Sequence, residues 1–367
     1  MSEQIILKSD NNYIELDNYL KSSNIKRPLL VCGKSIELLT IGRHMRELDN
    51  IVRFMDFEPN PSYDSVVKGV EIFNTNKCDG VIAIGGGSAM DVAKCIKLFA
   101  NLDSTKDYLE QEPVANDIPL IAMPTTAGSG SESTRYAVIY YRGEKYSVTD
   151  SECIPKAVIM DSSVLKTLSG YQRKSTMLDA LCHAIESYWS VNSNDLSKEY
   201  SRQAIRMILD NMDAYLQNDD IANESMLIAS NLAGKAINIT ATTAGHAMSY
   251  KITGLYDVAH GQAVAMCVAE IWKYMLDNIN RCTDERGCEY LSTVFDELAE
   301  IFGCLTQMEA ADKFSEIYYS LNLPYPSVRE EEWDILAGSV NERRLRNNPV
   351  KLDWDTLNML YHKILCQ

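Results

Sequence analysis

The sequence predicts two domains, an α/β domain followed by an all-helical domain. Its 367 residues are too many for one ordinary hydrophobic core. The first part alternates short apolar runs with helix-like segments, a pattern typical of a parallel sheet covered on both faces. After about Val164 one helical pattern follows another without β-alternation. We therefore expect an α/β N-terminal domain over residues 1–164 and an all-α C-terminal domain over residues 165–367.

The spacing of apolar residues predicts each strand and helix in turn. Continuous apolar runs predict four strands, at residues 28–32, 51–57, 80–84 and 118–123. Apolar residues at helical spacing predict helices at 65–75, 177–189, 198–216, 223–239 and 262–277. The cleft between two such domains is a favoured place for a ligand.

Charge and composition exclude several classes of function. A formal net charge of -16 disfavours nucleic acid and anionic membrane surfaces, which both need a basic face. The first twenty residues carry acids and amides where a signal peptide has a basic start, and no apolar stretch reaches the roughly 20 residues of a membrane span. We expect a cytoplasmic protein whose ten scattered cysteines are reduced, mostly buried thiols.

Two small-residue loops follow predicted strands. Gly85, Gly86 and Gly87 separate a strand from a helix, and glycines with a helix N-terminus favour an anion such as phosphate. The alternative is a tight strand-to-helix turn, and the pattern is not GxGxxG. A second loop over residues 124–132 is rich in hydroxyls and glycines. Two such loops at neighbouring strand ends would line one dinucleotide crevice.

The helical half contains a set of side chains with metal-ligand chemistry. The set comprises Asp179, His183, His246 and His260. Asp179 and His183 are four residues apart, on one face of a predicted helix. One carboxylate and three imidazoles suit Fe(II) or Zn(II). The alternative, equally favoured by spacing alone, is that Asp179 pairs with His183 while His246 and His260 are core histidines. The remaining histidines, His44 and His362, are expected at the surface.

These motifs together resemble the iron-containing (group III) alcohol dehydrogenases over nearly the whole chain. The matching segments are GGGSAMDVAK at 85–94, PTTAGSGSE at 124–132, DALCHAIESY at 179–188, and GHAMSY and AHGQAVA around His246 and His260. The resemblance implies a dehydroquinate synthase-like architecture with a parallel nucleotide-binding sheet. It also implies that Asp179, His183, His246 and His260 bind Fe(II), with Zn(II) as the alternative metal.

The resemblance implies a cofactor site as well. The residues that it assigns to the dinucleotide are Gly85, Gly86, Gly87, Ser88, Asp91, Thr125, Thr126, Ser129 and Lys145. NAD-preferring members often carry an aspartate at the end of the first nucleotide-domain strand. Here that segment reads Gly33, Lys34 and Ser35, which would accept a 2′-phosphate, so we expect NADP(H) to be preferred over NAD(H).

The segment over residues 244–253 is similar to the branch of the family that reduces phosphonoacetaldehyde to 2-hydroxyethylphosphonate. Many members have a proton-relaying histidine where this chain has Tyr250, so Tyr250 and its neighbour Lys251 are the candidate catalytic residues. A phosphonate needs fixed cations, and Arg343, Arg344 and Arg346 are further candidates; the alternative for each is a solvated charge at a helix end.

The expected reaction is hydride transfer between NAD(P)H and a small aldehyde or alcohol, with the metal as a Lewis acid. Three alternatives stay open. The first is a reductase of a simple short-chain aldehyde, of the butanol or propanediol dehydrogenase type. The second is another enzyme class, either a dehydroquinate-synthase-like lyase or a zinc-dependent glycerol phosphate dehydrogenase, and the third is a non-enzymatic metal- or nucleotide-binding protein. The family suggests a homodimer or larger homo-oligomer.

Overall fold

A parallel β-sheet unit followed by a helical unit makes up the described part of the chain. The computed structural model describes residues 4–8, 12–329, 332–340 and 342–366. The chain divides into two units, residues 1–167 and 168–367, each with its own dense internal packing. The predicted order, α/β first and all-helical second, is confirmed.

The first unit is built on a six-stranded parallel sheet. The strands of this unit are β1 (Ile5–Lys8), β2 (Pro28–Cys32), β3 (Val52–Phe54), β4 (Gly80–Gly85), β5 (Leu120–Pro124), β6 (Tyr136–Tyr141), β7 (Glu144–Thr149) and β8 (Ala157–Met160). Among the described residues, the sheet order is β1-β8-β5-β4-β2-β3, and every pair is parallel. Strands β6 and β7 form a separate antiparallel hairpin.

Four helices accompany the sheet: α1 (Ile14–Ser22), α2 (Thr40–Glu47), α3 (Tyr63–Thr75) and α4 (Gly87–Phe99). Strands β2, β4 and β5 are buried along their whole length, as a parallel sheet covered on both faces requires. Helix α4 packs against β4 and β6 and is buried over most of its surface.

The four strands predicted from continuous apolar runs are present, whereas β1, β8 and the hairpin were not predicted. Strand β1 has four residues, and Ile5 and Ile6 are exposed, so its sequence carries little hydrophobic signal. Buried and half-buried residues alternate along β6, which is the period of a strand with one solvated face. The expected strand at 51–57 is shortened to Val52–Phe54.

The described part of the second unit is built from helices joined by loops. Its helices are α5 (Gly170–Trp189), α6 (Asp195–Leu216), α7 (Asp220–Thr240), α8 (Ala244–Tyr256), α9 (His260–Asp277), α10 (Cys288–Phe302), α11 (Gln307–Ser320), α12 (Trp333–Gly338), α13 (Glu342–Leu345) and α14 (Trp354–Leu365). Helix α5 lies at the centre, packed against α6, α7 and α9, and α8 packs on α9.

The helices of this unit begin earlier than apolar spacing predicted, because polar capping residues set their first turns. Ser169 accepts a hydrogen bond from the N–H of Gln172, so α5 begins at Gly170 rather than at residue 177. Asn194 and Ser197 form a capping box that starts α6. The first turn of such a helix is solvated, so an apolar period does not reveal it.

Two glycines allow the central helices to approach closely. A Cβ atom on Gly261 would lie 2.0 Å from the backbone oxygen of Ser175 and 2.7 Å from Cβ of Asp179. A Cβ atom on Gly245 would lie 2.5 Å from Val268. These contacts leave no room for a side chain, so the start of α9 rests directly on the middle of α5.

Other surface and core features follow the sequence expectations only in part. No described helix is long and apolar enough to cross a membrane. All ten cysteines are free, and six of them are buried. His44 and His362, expected at the surface, are half-buried: His44 bonds Asp17 at 2.9 Å, and the ring of His362 stacks on Trp333.

We predict that Gly261→Ala destabilises the protein, because the new methyl group meets a backbone carbonyl that cannot move without shifting α5. The free energy of unfolding should fall by about 1–3 kcal/mol, the usual cost of overpacking. Gly254→Ala, in α8 with nothing within 4 Å of its added Cβ atom, is the matched control. It should raise stability by about 0.4–1 kcal/mol. Urea unfolding measures both, and equal stability of the two variants would contradict the close approach.

Candidate active site

The predicted cofactor residues follow three adjacent parallel strands. They comprise Gly33, Lys34 and Ser35 after β2, Gly85, Gly86, Gly87 and Ser88 at the end of β4, and Thr125, Thr126 and Ser129 after β5. Cys32 is in register with Ile84, and Gly85 with Pro124, while the N–H of Thr125 donates to the oxygen of Gly85 at 3.0 Å. The structure therefore brings these three loops to one edge of the sheet, where open α/β folds bind their ligands.

Two residues of the glycine loop are glycines although neither their backbone angles nor their packing requires glycine. Gly86 has a φ of -80°, and neither Gly86 nor Gly87 lies in the left-handed region. A Cβ atom at Gly86 would lie 3.5 Å from Thr126, and one at Gly87 would lie 3.6 Å from Ser129, both ordinary contacts. Only Gly85 is packed tightly, against Ala89. The space over Gly86 and Gly87 lies at the N-terminus of α4, where free N–H groups favour an anion.

Asp91 ties α4 to the neighbouring hairpin. Its carboxylate accepts hydrogen bonds from the hydroxyl of Ser131 and the N–H of Val138, both at 3.1 Å. Burial raises the pKa of Asp91 above its usual value, although the charges of Lys94 and Lys145 oppose this. Lys145 thus lies on β7 within electrostatic reach of Asp91. These contacts are structural, and the cofactor roles of Asp91 and Lys145 stay predictions.

The helical unit gathers three of the four predicted metal ligands. One ligand atom each from Asp179 on α5, His246 on α8 and His260 on α9 lies within 4.8 Å of the other two. Asp179 and His246 are buried, and Oδ1 of Asp179 lies 3.6 Å from Nε2 of His246. Among the described residues, neither of these two atoms has a hydrogen-bond partner. Buried polar atoms without partners are costly, and a divalent cation would satisfy both.

The electrostatics of this cluster favour positive charge. Burial opposes the ionisation of Asp179, but the charges of His183, His246 and His260 outweigh it and hold the pKa of Asp179 well below its usual range. Burial lowers the pKa of His246, but Glu186 and Asp179 raise it by more, to about 8. A cation is therefore stabilised here, as the metal hypothesis requires.

His183 lies beside the cluster without joining its three close ligand atoms. It follows Asp179 by one helical turn, and its ring stacks on that of His246 with centroids 4.4 Å apart. The prediction that His183 is a fourth ligand therefore stays a prediction.

The loop before α8 is strained, since Ala241 has φ 58° and ψ 179°, a conformation that normally needs glycine.

Glu186, which is not among the residues predicted from the sequence, lies against His246. Its side chain is fully buried on α5, and one carboxylate oxygen contacts Nδ1 of His246. The signal was available, because Glu186 stands seven residues after Asp179 and three after His183 in the same motif. That spacing puts all three side chains on one helix face.

Tyr250 lies one turn after His246 and extends the cluster. Its ring is parallel to that of His260, with centroids 5.5 Å apart. Burial raises the pKa of Tyr250, although the charge of Arg344 opposes this, so the hydroxyl stays protonated near neutral pH. Lys251 is half-buried and lies about 100° around α8 from Tyr250, away from the face that carries His246.

One of the three candidate arginines reaches this region. Nη1 of Arg344 donates a short hydrogen bond to the hydroxyl of Tyr250, and the guanidinium lies 4.7 Å from the centre of that ring. Arg346 is exposed, and the side chain of Arg343 lies outside the described part of the structure. The Tyr250 ring therefore lies beside both the Arg344 guanidinium and the ring of His260.

Comparison with known proteins identifies the class to which this arrangement belongs. Residues 4–162 match the family model described as iron-containing alcohol dehydrogenase. Residues 174–365 match the model of the C-terminal region of the Fe-containing alcohol dehydrogenase family. The chain therefore belongs to the iron-containing alcohol dehydrogenase family, whose name carries the enzyme class that the sequence predicted, an oxidoreductase acting on a CH–OH group.

The relatives differ in length and in substrate. The phosphonoacetaldehyde reductase of Streptomyces viridochromogenes is 29% identical over 86% of this chain and 83% of its own length. The 1,3-propanediol dehydrogenase of Citrobacter freundii is 33% identical over 68% of each chain. This chain spans only 27% and 41% of the aldehyde-alcohol dehydrogenases of Entamoeba histolytica and Streptococcus pneumoniae, to which it is 33% and 32% identical.

A solved structure supports the same family. The sulfoacetaldehyde reductase of Bifidobacterium kashiwanohense, in complex with NAD+, superposes with a TM-score of 0.88 at 25% identity. The match covers 99% of this chain and 97% of that one.

We predict that Gly87→Ala leaves the fold intact and weakens dinucleotide binding. The added methyl group meets only ordinary contacts in the protein but fills the space above the start of α4. The Kd for NADPH, measured by fluorescence titration, should rise about tenfold or more, equivalent to about 1.4 kcal/mol. Thermal stability should stay within about 0.5 kcal/mol of the wild type, as for a surface substitution.

Gly170→Ala is the matched control, because Gly170 is also the first residue of a helix and has nothing within 4 Å of an added Cβ atom. Its Kd should equal that of the wild type. Unchanged NADPH binding by Gly87→Ala would mean that the glycine loop is only a turn.

Proposed function

We propose that this chain is a metal-dependent oxidoreductase that reduces an aldehyde bearing a phosphonate or similar anionic group, with phosphonoacetaldehyde as the model substrate and NADPH as the preferred hydride donor. The observation that carries the proposal is the cluster of buried Asp179 and His246 with half-buried His260, whose ligand atoms lie within 4.8 Å of one another. Family membership favours a dehydrogenase over a lyase or a non-enzymatic binding protein.

The donor set fits the metal that the family name implies. One carboxylate and imidazole nitrogens suit Fe(II), and they suit Zn(II) as well. When bound, the ion would supply a Lewis acid that polarises the carbonyl oxygen of the substrate. Burial of Asp179 and His246 keeps water from competing for these ligand atoms.

Tyr250 is suited to hold the proton that an aldehyde takes up on reduction. Reduction of the carbonyl requires one hydride from NAD(P)H and one proton, giving the alcohol and NAD(P)+. The phenol is protonated near neutral pH, accepts a bond from Arg344 and keeps its own proton to donate. Its place beside the ring of His260 supports a role close to the reacting carbonyl.

The proposed preference for NADPH is based on the residues that follow β2. Gly33 removes the negative charge that would repel a 2′-phosphate. Lys34 and Ser35 are exposed in the short 3₁₀ helix that follows, and both can bind a phosphate. The relative of known structure was solved with NAD+, so the comparison of NADH with NADPH belongs in the first assay.

The proposal of an anionic substrate is supported by Arg344. A guanidinium held against Tyr250 offers charge-assisted hydrogen bonds at a short distance from the cluster. Two relatives, the phosphonoacetaldehyde and sulfoacetaldehyde reductases, are named for aldehydes that carry such a group.

A second candidate is the reduction of an uncharged short-chain aldehyde. The similarity to 1,3-propanediol dehydrogenase favours it, since the identity is higher than to the phosphonoacetaldehyde reductase. The two candidates share the metal and cofactor chemistry and differ only in the need for a cation.

The metal hypothesis predicts that Asp179→Asn loses metal and turnover together. Removing the one charged ligand should weaken metal binding by more than the 10–100-fold typical of a residue that only supports a ligand. Anaerobic assays of NADPH and NADH oxidation with Fe(II) and phosphonoacetaldehyde, alongside metal analysis, measure both quantities. Asp312→Asn, which removes an exposed carboxylate paired with Lys273, is the control and should retain both. An Asp179→Asn protein that turns over fully without metal would rule out the proposed reaction.

The anionic-substrate hypothesis predicts that Arg344→Met raises the KM for phosphonoacetaldehyde much more than the KM for butyraldehyde. Loss of a charge-assisted contact should cost about 1.5–3 kcal/mol, or roughly ten- to a hundredfold in kcat/KM. Arg206→Met removes an arginine that pairs only distantly with Glu300, at 3.8 Å, and serves as the control. Equal losses on the two aldehydes would instead indicate that Arg344 only positions Tyr250.

A further inference from the structure

Glu186 is a buried carboxylate that accepts hydrogen bonds from three residues at the beginning of α8. One oxygen, Oε1, accepts hydrogen bonds from the hydroxyl of Thr243 at 2.6 Å, the N–H of Gly245 at 2.8 Å and the N–H of His246 at 3.4 Å. The other, Oε2, forms a short contact with Nδ1 of His246. A charge that is fully shielded from water needs such a set of donors, so the group is held in one position.

These contacts replace the usual cap of α8. Thr243 is the N-cap residue, yet its side chain makes no hydrogen bond to its own helix. Of the N–H groups in the first turn, those of Gly245 and His246 donate to Glu186. The positive end of the helix dipole also favours a carboxylate at this place. Glu186 on α5 therefore fixes where α8 begins.

The same carboxylate determines which nitrogen of His246 carries the proton. An ionised carboxylate can only accept, so Nδ1 of His246 must donate to it. The other nitrogen, Nε2, is then the one left for a metal, and it lies 3.6 Å from Oδ1 of Asp179, inside the cluster of ligand atoms. A histidine that binds a metal through one nitrogen commonly donates from the other in this way.

The approach of the two helices depends on a missing side chain. A Cβ atom on Gly245 would lie 3.0 Å from Oε1 of Glu186 and 2.5 Å from Val268. Glycine before His246 therefore lets the helix start come within hydrogen-bond distance of the carboxylate.

We propose that Glu186 is a positioning residue of the metal centre, which holds the start of α8 and fixes His246 with Nε2 free to bind the metal. This inference rests on the proposed function, because it assigns Glu186 to the same centre. A purely structural cap would stabilise α8 equally well without affecting metal affinity, so affinity and stability must be measured separately.

The test is Glu186→Gln in the full chain, titrated with Co(II) as a spectroscopic probe. The amide can still accept from the helix N–H groups through Oε1, but its NH₂ group then faces Nδ1 and favours the proton on Nε2, where the metal should bind. We expect the Kd for Co(II) to rise about 10–100-fold, with a changed visible absorption spectrum. Glu186→Asp keeps an acceptor-only group, so its Kd should lie closer to that of the wild type.

Asp353→Asn is the matched control. Asp353 caps α14 through the N–H of Thr356 and pairs with Arg281, and the same change from carboxylate to amide there removes charge from a helix N-terminus. Its thermal stability should fall, while its Kd and spectrum for Co(II) stay at wild-type values.

Three results separate the possibilities. Lower stability of Glu186→Gln with unchanged Co(II) affinity and spectrum would overturn the positioning role and leave a structural cap. A wild-type protein that does not bind Co(II) would contradict the proposed metal centre instead. Should Glu186→Gln fail to fold, ¹⁵N-histidine spectra of the Zn(II)-loaded wild type decide the matter: a proton on Nδ1 of His246 supports the inference, and metal on Nδ1 contradicts it.

Discussion

The second unit depends on burying two carboxylates, Asp179 and Glu186, on one face of a single helix. A buried negative charge is tolerated only with compensating partners. Glu186 obtains them from the first turn of α8, whereas Oδ1 of Asp179 has imidazoles near it but no hydrogen bond within the described part of the chain. The packing of α9 on α5 and of α8 on α9, close enough to require Gly261 and Gly245, brings those partners within reach.

The anion site that we propose in the first unit would use backbone N–H groups rather than charged side chains. The three loops at the ends of β2, β4 and β5 meet because their strands are neighbours in register. Gly86 and Gly87 are required neither by φ nor by packing, so the space above them is the feature that distinguishes this loop from an ordinary turn. Hydroxyl groups of Thr126 and Ser129 border that space.

The residues that we propose to contact the substrate are less buried than the two buried members of the proposed metal cluster. His246 and Asp179 are buried and contacted from two or three helices, while Tyr250 and Arg344 are half-buried and contact each other. Such positions can change without loss of the fold, because burial decides the cost of a substitution. The relatives of this chain are likewise named for different substrates, phosphonoacetaldehyde and 1,3-propanediol.

The sequence alone determined the order of the two units, the glycine loop and three residues of the cluster, because spacing on a helix or after a strand is a local property. It did not reveal the hairpin of β6 and β7, the contact of Glu186 with His246 across 60 residues, or that of Arg344 with Tyr250 across 94. Local spacing shows which side chains share a face. Only tertiary packing decides which faces meet, since it depends on the fit of all the helices together.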